Sequence, residues 1–125
     1  MIKVRLALLT LLVACAPVEH GRDLSADAVA AMLKSDTSAM LVDVRTPEEY
    51  AEGHLRNSTI MDYYRADIHD RLRSLPKDRS VVLYCRSGRR SADAKHYLDS
   101  LGYTRVFNML GGIVAWQEHN HPVEQ

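Results

Sequence analysis

Ser80-Val81-Val82-Leu83-Tyr84-Cys85-Arg86-Ser87-Gly88-Arg89-Arg90-Ser91 carries an apolar run into a cysteine and a short basic loop, after which a helical pattern begins. Apolar character on both faces of the run predicts a central strand of a parallel sheet, buried from both sides. A thiol where such a strand meets a helix N-terminus, ringed by Arg86, Arg89 and Arg90, stands where a thiolate is favoured and an anion docks. Free cysteine titrates near 8.5, and surroundings of this kind lower it to about 3.5–7.5, so Cys85 reads as a nucleophile toward an oxyanion.

Working outward, extended and helical patterns alternate. Leu24-Ser25 leads into a helix with Ser25 as N-cap, Asp27 in the first turn, and Ala28, Met32 and Leu33 on one side. Met40 to Val44 is a second buried strand, followed by Thr46-Pro47-Glu48-Glu49, a capping box with proline at the first helical position and a helix to about Glu52. Ser58 to Met61 is a weaker strand, and Ile68, Leu72 and Leu75 mark a helix that Pro76 stops. Beyond Cys85, Ala92, Ala94, Tyr97, Leu98 and Leu101 form the buried side of a helix ending at Gly102. Arg105 to Asn108 is the last strand, and Gly111-Gly112 opens a closing helix with Val114 and Trp116. This alternation predicts an α/β fold: a parallel sheet of about five strands with helices on both faces, and ligands outside the carboxyl ends of the strands, where Cys85 stands.

The N-terminus belongs to another pattern. Lys3 and Arg5 precede a short apolar stretch, Leu6 to Val13, and small residues Ala14 and Ala16 flank Cys15, as in an export signal. The stretch is shorter than the roughly 20 apolar residues a membrane-spanning helix needs. Leu12-Val13-Ala14-Cys15 resembles the bacterial lipobox, which implies cleavage after residue 14 and a lipid on Cys15; the competing reading is ordinary cleavage after Ala16, releasing a soluble product. Ala16 stands where an inner-membrane retention Asp would stand, so by analogy the anchor is in the outer membrane, on the periplasmic side. The expected organisation is a lipoprotein signal peptide over 1–14, a lipidated N-terminus and linker over 15–22, one domain over 23–119, and a polar tail over 120–125.

Without residues 1–14, 111 of the 125 residues remain, enough for one compact domain, with 14 basic against 16 acidic residues and a net charge of −2. That balance excludes a nucleic-acid footprint, since there is no basic surplus and the one tight arginine cluster, Arg86, Arg89 and Arg90, lies in a single loop. With Cys15 acylated, Cys85 has no partner thiol, which excludes an internal disulfide and a C-x-x-C redox pair. Glu118-His119-Asn120-His121 reads as polar tail rather than metal site, so no metal and no cofactor is expected. Asn57-Ser58-Thr59 matches a glycosylation acceptor, a short pattern of little weight.

Several ordered stretches carry a more specific likeness. Asp43-Val44-Arg45 with Glu49-Tyr50 and Gly53-His54-Leu55, then Tyr84-Cys85-Arg86-Ser87-Gly88-Arg89-Arg90-Ser91, then Leu110-Gly111-Gly112 with Ala115-Trp116, resemble the signature stretches of a single-domain rhodanese, a sulfurtransferase. The resemblance implies a persulfide on Cys85, a loop Cys85–Arg90 that cradles the transferred sulfur, Arg90 in the place of the family's arginine, and a structural use of His54. The chain departs from the family at Arg56-Asn57, where Pro-Gly is common, and at Ile60, where Asn is; Asn57 can hold the turn at positive φ.

The residues themselves support the same chemistry. Backbone N–H groups from Arg86 to Arg90 would curl around a bound sulfur, with Ser87 and Gly88 sterically permissive, while Arg86, Arg89 and Arg90 orient an anion such as thiosulfate. The sulfur then passes to cyanide or a thiol. Asp43 and Arg45 read first as an ion pair supporting this loop. Two alternatives remain: a noncatalytic sulfur-sensing or protein-binding module, and a cysteine-dependent phosphatase or arsenate reductase. A phosphatase cradle needs C-x5-R, whereas Cys85 to Arg90 is C-x4-R and Ser91 stands in the phosphatase arginine's place, a loop better sized for one sulfur than for a phosphate.

Overall fold

The computed structural model describes residues 22–125. Five strands, β1 (Asp23–Leu24), β2 (Met40–Asp43), β3 (Thr59–Ile60), β4 (Val81–Tyr84) and β5 (Val106–Met109), alternate with α1 (Ala26–Ser35), α2 (Pro47–Glu52), α3 (Ile68–Arg73), α4 (Arg89–Ser100) and α5 (Gly112–Glu118). The sheet is parallel throughout, in the order β1-β5-β4-β2-β3, with β4 central as its apolar run predicts.

Side chains alternate across β4 and divide the core in two. Val81, Leu83 and Cys85 face Leu72 and Leu75 at α3, and Ala94 and Leu98 of α4. Val82 and Tyr84 face the opposite layer, with Val29 of α1 and Ile113 and Trp116 of α5. Truncating a fully buried side chain such as Leu83 in such a core costs about 2–5 kcal/mol.

Local signals act as the sequence predicts. Ser25 Oγ accepts the Ala28 N–H at 3.1 Å, and the Thr46–Glu49 capping box is complete, with bonds of 3.3 and 3.0 Å. Asn57 takes φ 61°, so the turn is made without glycine. Three features differ from the expectations. β1 is a strand of two residues whose pairing with β5 is wholly backbone and carries no side-chain period. Arg22, expected in a linker, is docked: its guanidinium donates to the carbonyls of Val106 at 3.1 Å and Thr104 at 3.2 Å and pairs with Asp99. Residues 120–125, expected as a polar tail, form a strap across the domain. Trp116 Nε1 donates to the Pro122 carbonyl at 2.9 Å, and His54 and Glu124 exchange two backbone hydrogen bonds of 2.8 Å. His119 and His121 both meet the Asp27 carboxylate.

Candidate active site

β4 ends at Cys85, whose side chain is 1 % exposed, and the chain turns at once into α4. The turn is tight because Gly88, at φ 98°, caps the helix, leaving only Arg86 and Ser87 between the cysteine and the cap. A Cβ at Gly88 would lie 3.2 Å from the Gly111 nitrogen, so its lack of a side chain also serves the close approach of the β5–α5 turn. Arg89 and Arg90 form the first turn of α4, an unfavourable place for cations beside the positive end of the helix dipole.

The orientation of the loop follows from where its carbonyls go. Those of Cys85 and Arg86 accept from the Ile113 and Val114 N–H groups of α5 at 2.9 and 3.2 Å. The carbonyl of Gly88 accepts from Ala92 N at 3.1 Å and from Asn108 Nδ2 at 3.3 Å. With its acceptors occupied by α4, α5 and Asn108, the loop turns donors toward the thiol: Cys85 Sγ accepts from Gly88 N at 3.0 Å and from Ser91 Oγ at 3.4 Å. Gly112 makes the seating on α5 possible, since a Cβ there would lie 2.4 Å from the carbonyl oxygens of both Cys85 and Arg86. Asn108 Oδ1 is buried without a partner among the described residues.

Burial pushes the Cys85 thiol up, but the Ser91 hydroxyl and the backbone N–H groups of Ser91, Gly88 and Ser87 outweigh it and hold the thiol below its ordinary value. The sequence argument assigned this role to the helix N-terminus and the neighbouring arginines together; the N–H groups and hydroxyl at the start of α4 fill it, and the arginines do not. Arg86 and Arg89 are exposed and form no ion pair among the described residues. Arg90 is engaged elsewhere: Glu49 of α2 spans its guanidinium with two 2.8 Å bonds, and its cationic carbon lies 5.6 Å from the centre of the Tyr64 ring. The Arg90 pairing holds the Glu49 carboxyl down at about 2.

Asp43 and Arg45 form a buried pair at the carboxyl end of β2, with the Arg45 Nε and Nη2 groups on the carboxylate and Nη2 also donating to the Gly53 carbonyl at 2.7 Å. They bring the chain after α2 against the site. His54 stacks on Tyr50 at 3.8 Å and meets its carbonyl through Nδ1 at 2.9 Å. The structure therefore gathers Cys85, Ser87 and Gly88 into one cradle and sets Asp43 and Arg45 beside it. The sequence reading did not include Ser91, Glu49, Asn108 and Gly112 among the site residues; only Ser91 had a local signal, standing in the first turn of the helix after the loop. Expectations for residues 1–21, including acylation of Cys15, lie outside the described residues.

Residues 25–119 match the family model described as the rhodanese-like domain. A sulfurtransferase from Allochromatium vinosum is 40 % identical over 101 residues, covering 81 % of this chain and 92 % of that protein. The thiosulfate sulfurtransferase GlpE of Pseudomonas fluorescens is 33 % identical over 89 residues, covering 71 % of this chain and 79 % of that one. Among solved structures, a rhodanese-related protein from Thermoplasma volcanium is similar with a TM-score of 0.73 at 28 % identity, covering 82 % of this chain and 97 % of that one.

Proposed function

Because this chain belongs to the rhodanese-like family and is similar to proteins named sulfurtransferases, we propose that it moves sulfane sulfur from an anionic donor such as thiosulfate to cyanide or a thiol through a persulfide on Cys85. One observation carries the reading: Cys85 Sγ sits in a four-residue loop whose N–H groups, with Ser91 Oγ, converge on it and stabilise its anion.

The thiolate attacks the outer sulfur of thiosulfate, the S–S bond to the sulfonate group breaks, and sulfite leaves with the electron pair. A thiolate and a dianion become a persulfide anion and a sulfite dianion, so charge balances and no general base is required. The convergent N–H groups act where negative charge resides before and after the step, first on Sγ and then on the outer sulfur. Arg86 and Arg89, free of ion pairs among the described residues, are the cations that draw the donor in; Arg90, locked to Glu49, holds the loop's helical end in place. Intact-mass measurement after incubation with thiosulfate tests the reading. Gain of one sulfur by the protein and none by Cys85→Ser is expected; no gain with any sulfane donor would reject it.

We further propose that residues 1–14 are a signal peptide and that Cys15 carries a lipid, anchoring the protein at the periplasmic face of the outer membrane. The support is the Lys3/Arg5 start, the apolar Leu6–Val13 stretch and the lipobox-like Leu12–Cys15. Metabolic palmitate labelling with and without globomycin tests it, and an unlabelled, soluble product is the result against it.

A further inference from the structure

We propose that a cavity at the amino-terminal ends of β2 and β3, away from Cys85, is a second anion site, and that it takes a phosphate monoester carrying an apolar group. The cavity has a volume of about 550 Å³ and opens between the end of α1, the turn that precedes β3, and Arg79. Cys85 follows the opposite end of β4, six residues beyond Arg79. At the rise of a strand that is about 20 Å, so a ligand here does not meet the reacting sulfur.

The departure at Arg56-Asn57 leads to this cavity. Ser58 N–H donates to the Leu55 carbonyl at 3.1 Å, and of the two residues between them only Asn57 has positive φ, at 61°. That is a type II turn, for which proline followed by glycine is the unstrained choice, the pair common in the family. This chain instead holds an asparagine in the left-handed region and a guanidinium in proline's place, and both residues line the cavity. The fold makes little use of either side chain. Arg56 is 80 % exposed and approaches a carboxylate only at 3.6 Å, on Glu124. Asn57 is exposed, and its amide has no partner among the described residues.

Also on the lining, Arg79 gives its Nε–H to the Ser38 carbonyl at 2.7 Å, which holds the guanidinium in place and leaves both Nη groups without a partner among the described residues. Thr37 and Thr59 add two hydroxyls that are likewise unpartnered among the described residues. Asp36 is the one carboxylate of the lining, and its Oδ1 already accepts the hydroxyl and the N–H of Ser38, at 2.6 and 3.0 Å. Lys34, in the last turn of α1, offsets the carbonyl end of that helix. Two guanidiniums and three neutral donor groups against one carboxylate suit a doubly charged head with three terminal oxygens; a carboxylate ligand brings fewer acceptor positions and half the charge. Leu33 and Leu41 supply an apolar wall for the ester's substituent, a contact that inorganic phosphate cannot make.

The test titrates the isotope-labelled protein with phenyl phosphate, inorganic phosphate and benzoate, and follows backbone amide shifts by NMR. Phenyl phosphate is expected to move the amides of Asn57, Thr59 and Leu41, and to bind there about tenfold more tightly than either of the others. The double substitution Arg56→Pro with Asn57→Gly installs the unstrained turn pair and so keeps the fold, which circular dichroism verifies; it should weaken phenyl phosphate binding about tenfold. Arg79→Gln should weaken it similarly through a separate contact. Shifts confined to the Cys85 loop, equal affinity for benzoate, or unchanged affinity in both variants overturns the proposal and leaves the persulfide reading intact. A vesicle arm identifies the source of the ester: the chain carrying Cys15→Ser, which cannot be acylated there, is sedimented with phosphatidylcholine vesicles containing phosphatidic acid. Retention that the double substitution abolishes assigns a lipid head group; no retention, with phenyl phosphate still bound, assigns a soluble ester.

Discussion

The Glu49 carboxylate spans the Arg90 guanidinium with two hydrogen bonds of 2.8 Å, tying the first turn of α4 to the capping box that starts α2. One carboxylate thus serves two elements, since Glu49 also accepts the Thr46 N–H at 3.0 Å.

Glu49→Gln should lower stability by about 2 kcal/mol near neutral pH, since both partners are mostly buried. The folded-state value of about 2 lies below the ordinary 4.5, so this contribution is fully present above 4.5 and is lost as the pH falls toward 2. Urea unfolding of wild type and variant across that range should show their difference shrinking as the solution is acidified.

Ser91→Ala removes the hydroxyl donor 3.4 Å from Cys85 Sγ while the backbone donors remain. The Cys85 thiol should titrate at higher pH, and persulfide loading near neutrality should slow several-fold as the thiolate fraction falls. Thiolate absorbance in the ultraviolet, taken as a difference against Cys85→Ser, reads the shift directly; an unmoved titration would mean that the backbone N–H groups suffice.

Gly112→Ala places a methyl group 2.4 Å from two loop carbonyls at a residue with φ +56°. The loop must lift from α5 or the helix must move, at a cost of about 2–4 kcal/mol. Persulfide loading should fail under conditions where the variant is still folded by circular dichroism, because loop orientation is lost before the fold.

Deleting residues 120–125 removes the paired hydrogen bonds between His54 and Glu124 and the acceptor of the Trp116 indole. A loss of about 1–3 kcal/mol follows from these bonds, and hydrogen exchange at the His54 amide should accelerate more than at β4.

The sheet was legible from sequence because β2 and β4 are apolar on both faces and the helices between strands carry their own caps, such as Ser25 and the Thr46 box. β1 was not, because two residues have no period and its partner is 85 residues away at Asn108 and Met109. The thiol and its glycine were also legible, since strand end, cysteine and Gly88 are contiguous. What surrounds them was not: Glu49 reaches Arg90 across 41 residues, and Asn108 reaches the Gly88 carbonyl across 20. Gly112 reads as a helix opener in sequence; only the packed structure shows that its missing side chain seats the loop.

The docking of Arg22 onto the carbonyls of Thr104 and Val106 has a directional consequence. Those carbonyls lie at the start of β5, and β1 enters the sheet alongside β5 and parallel to it, whereas Cys85 follows the opposite end of β4. Arg22 thus reaches the floor of the sheet, and the thiol lies at its roof. A tether attached at the Arg22 guanidinium would therefore stand at the edge of the sheet opposite the reactive sulfur.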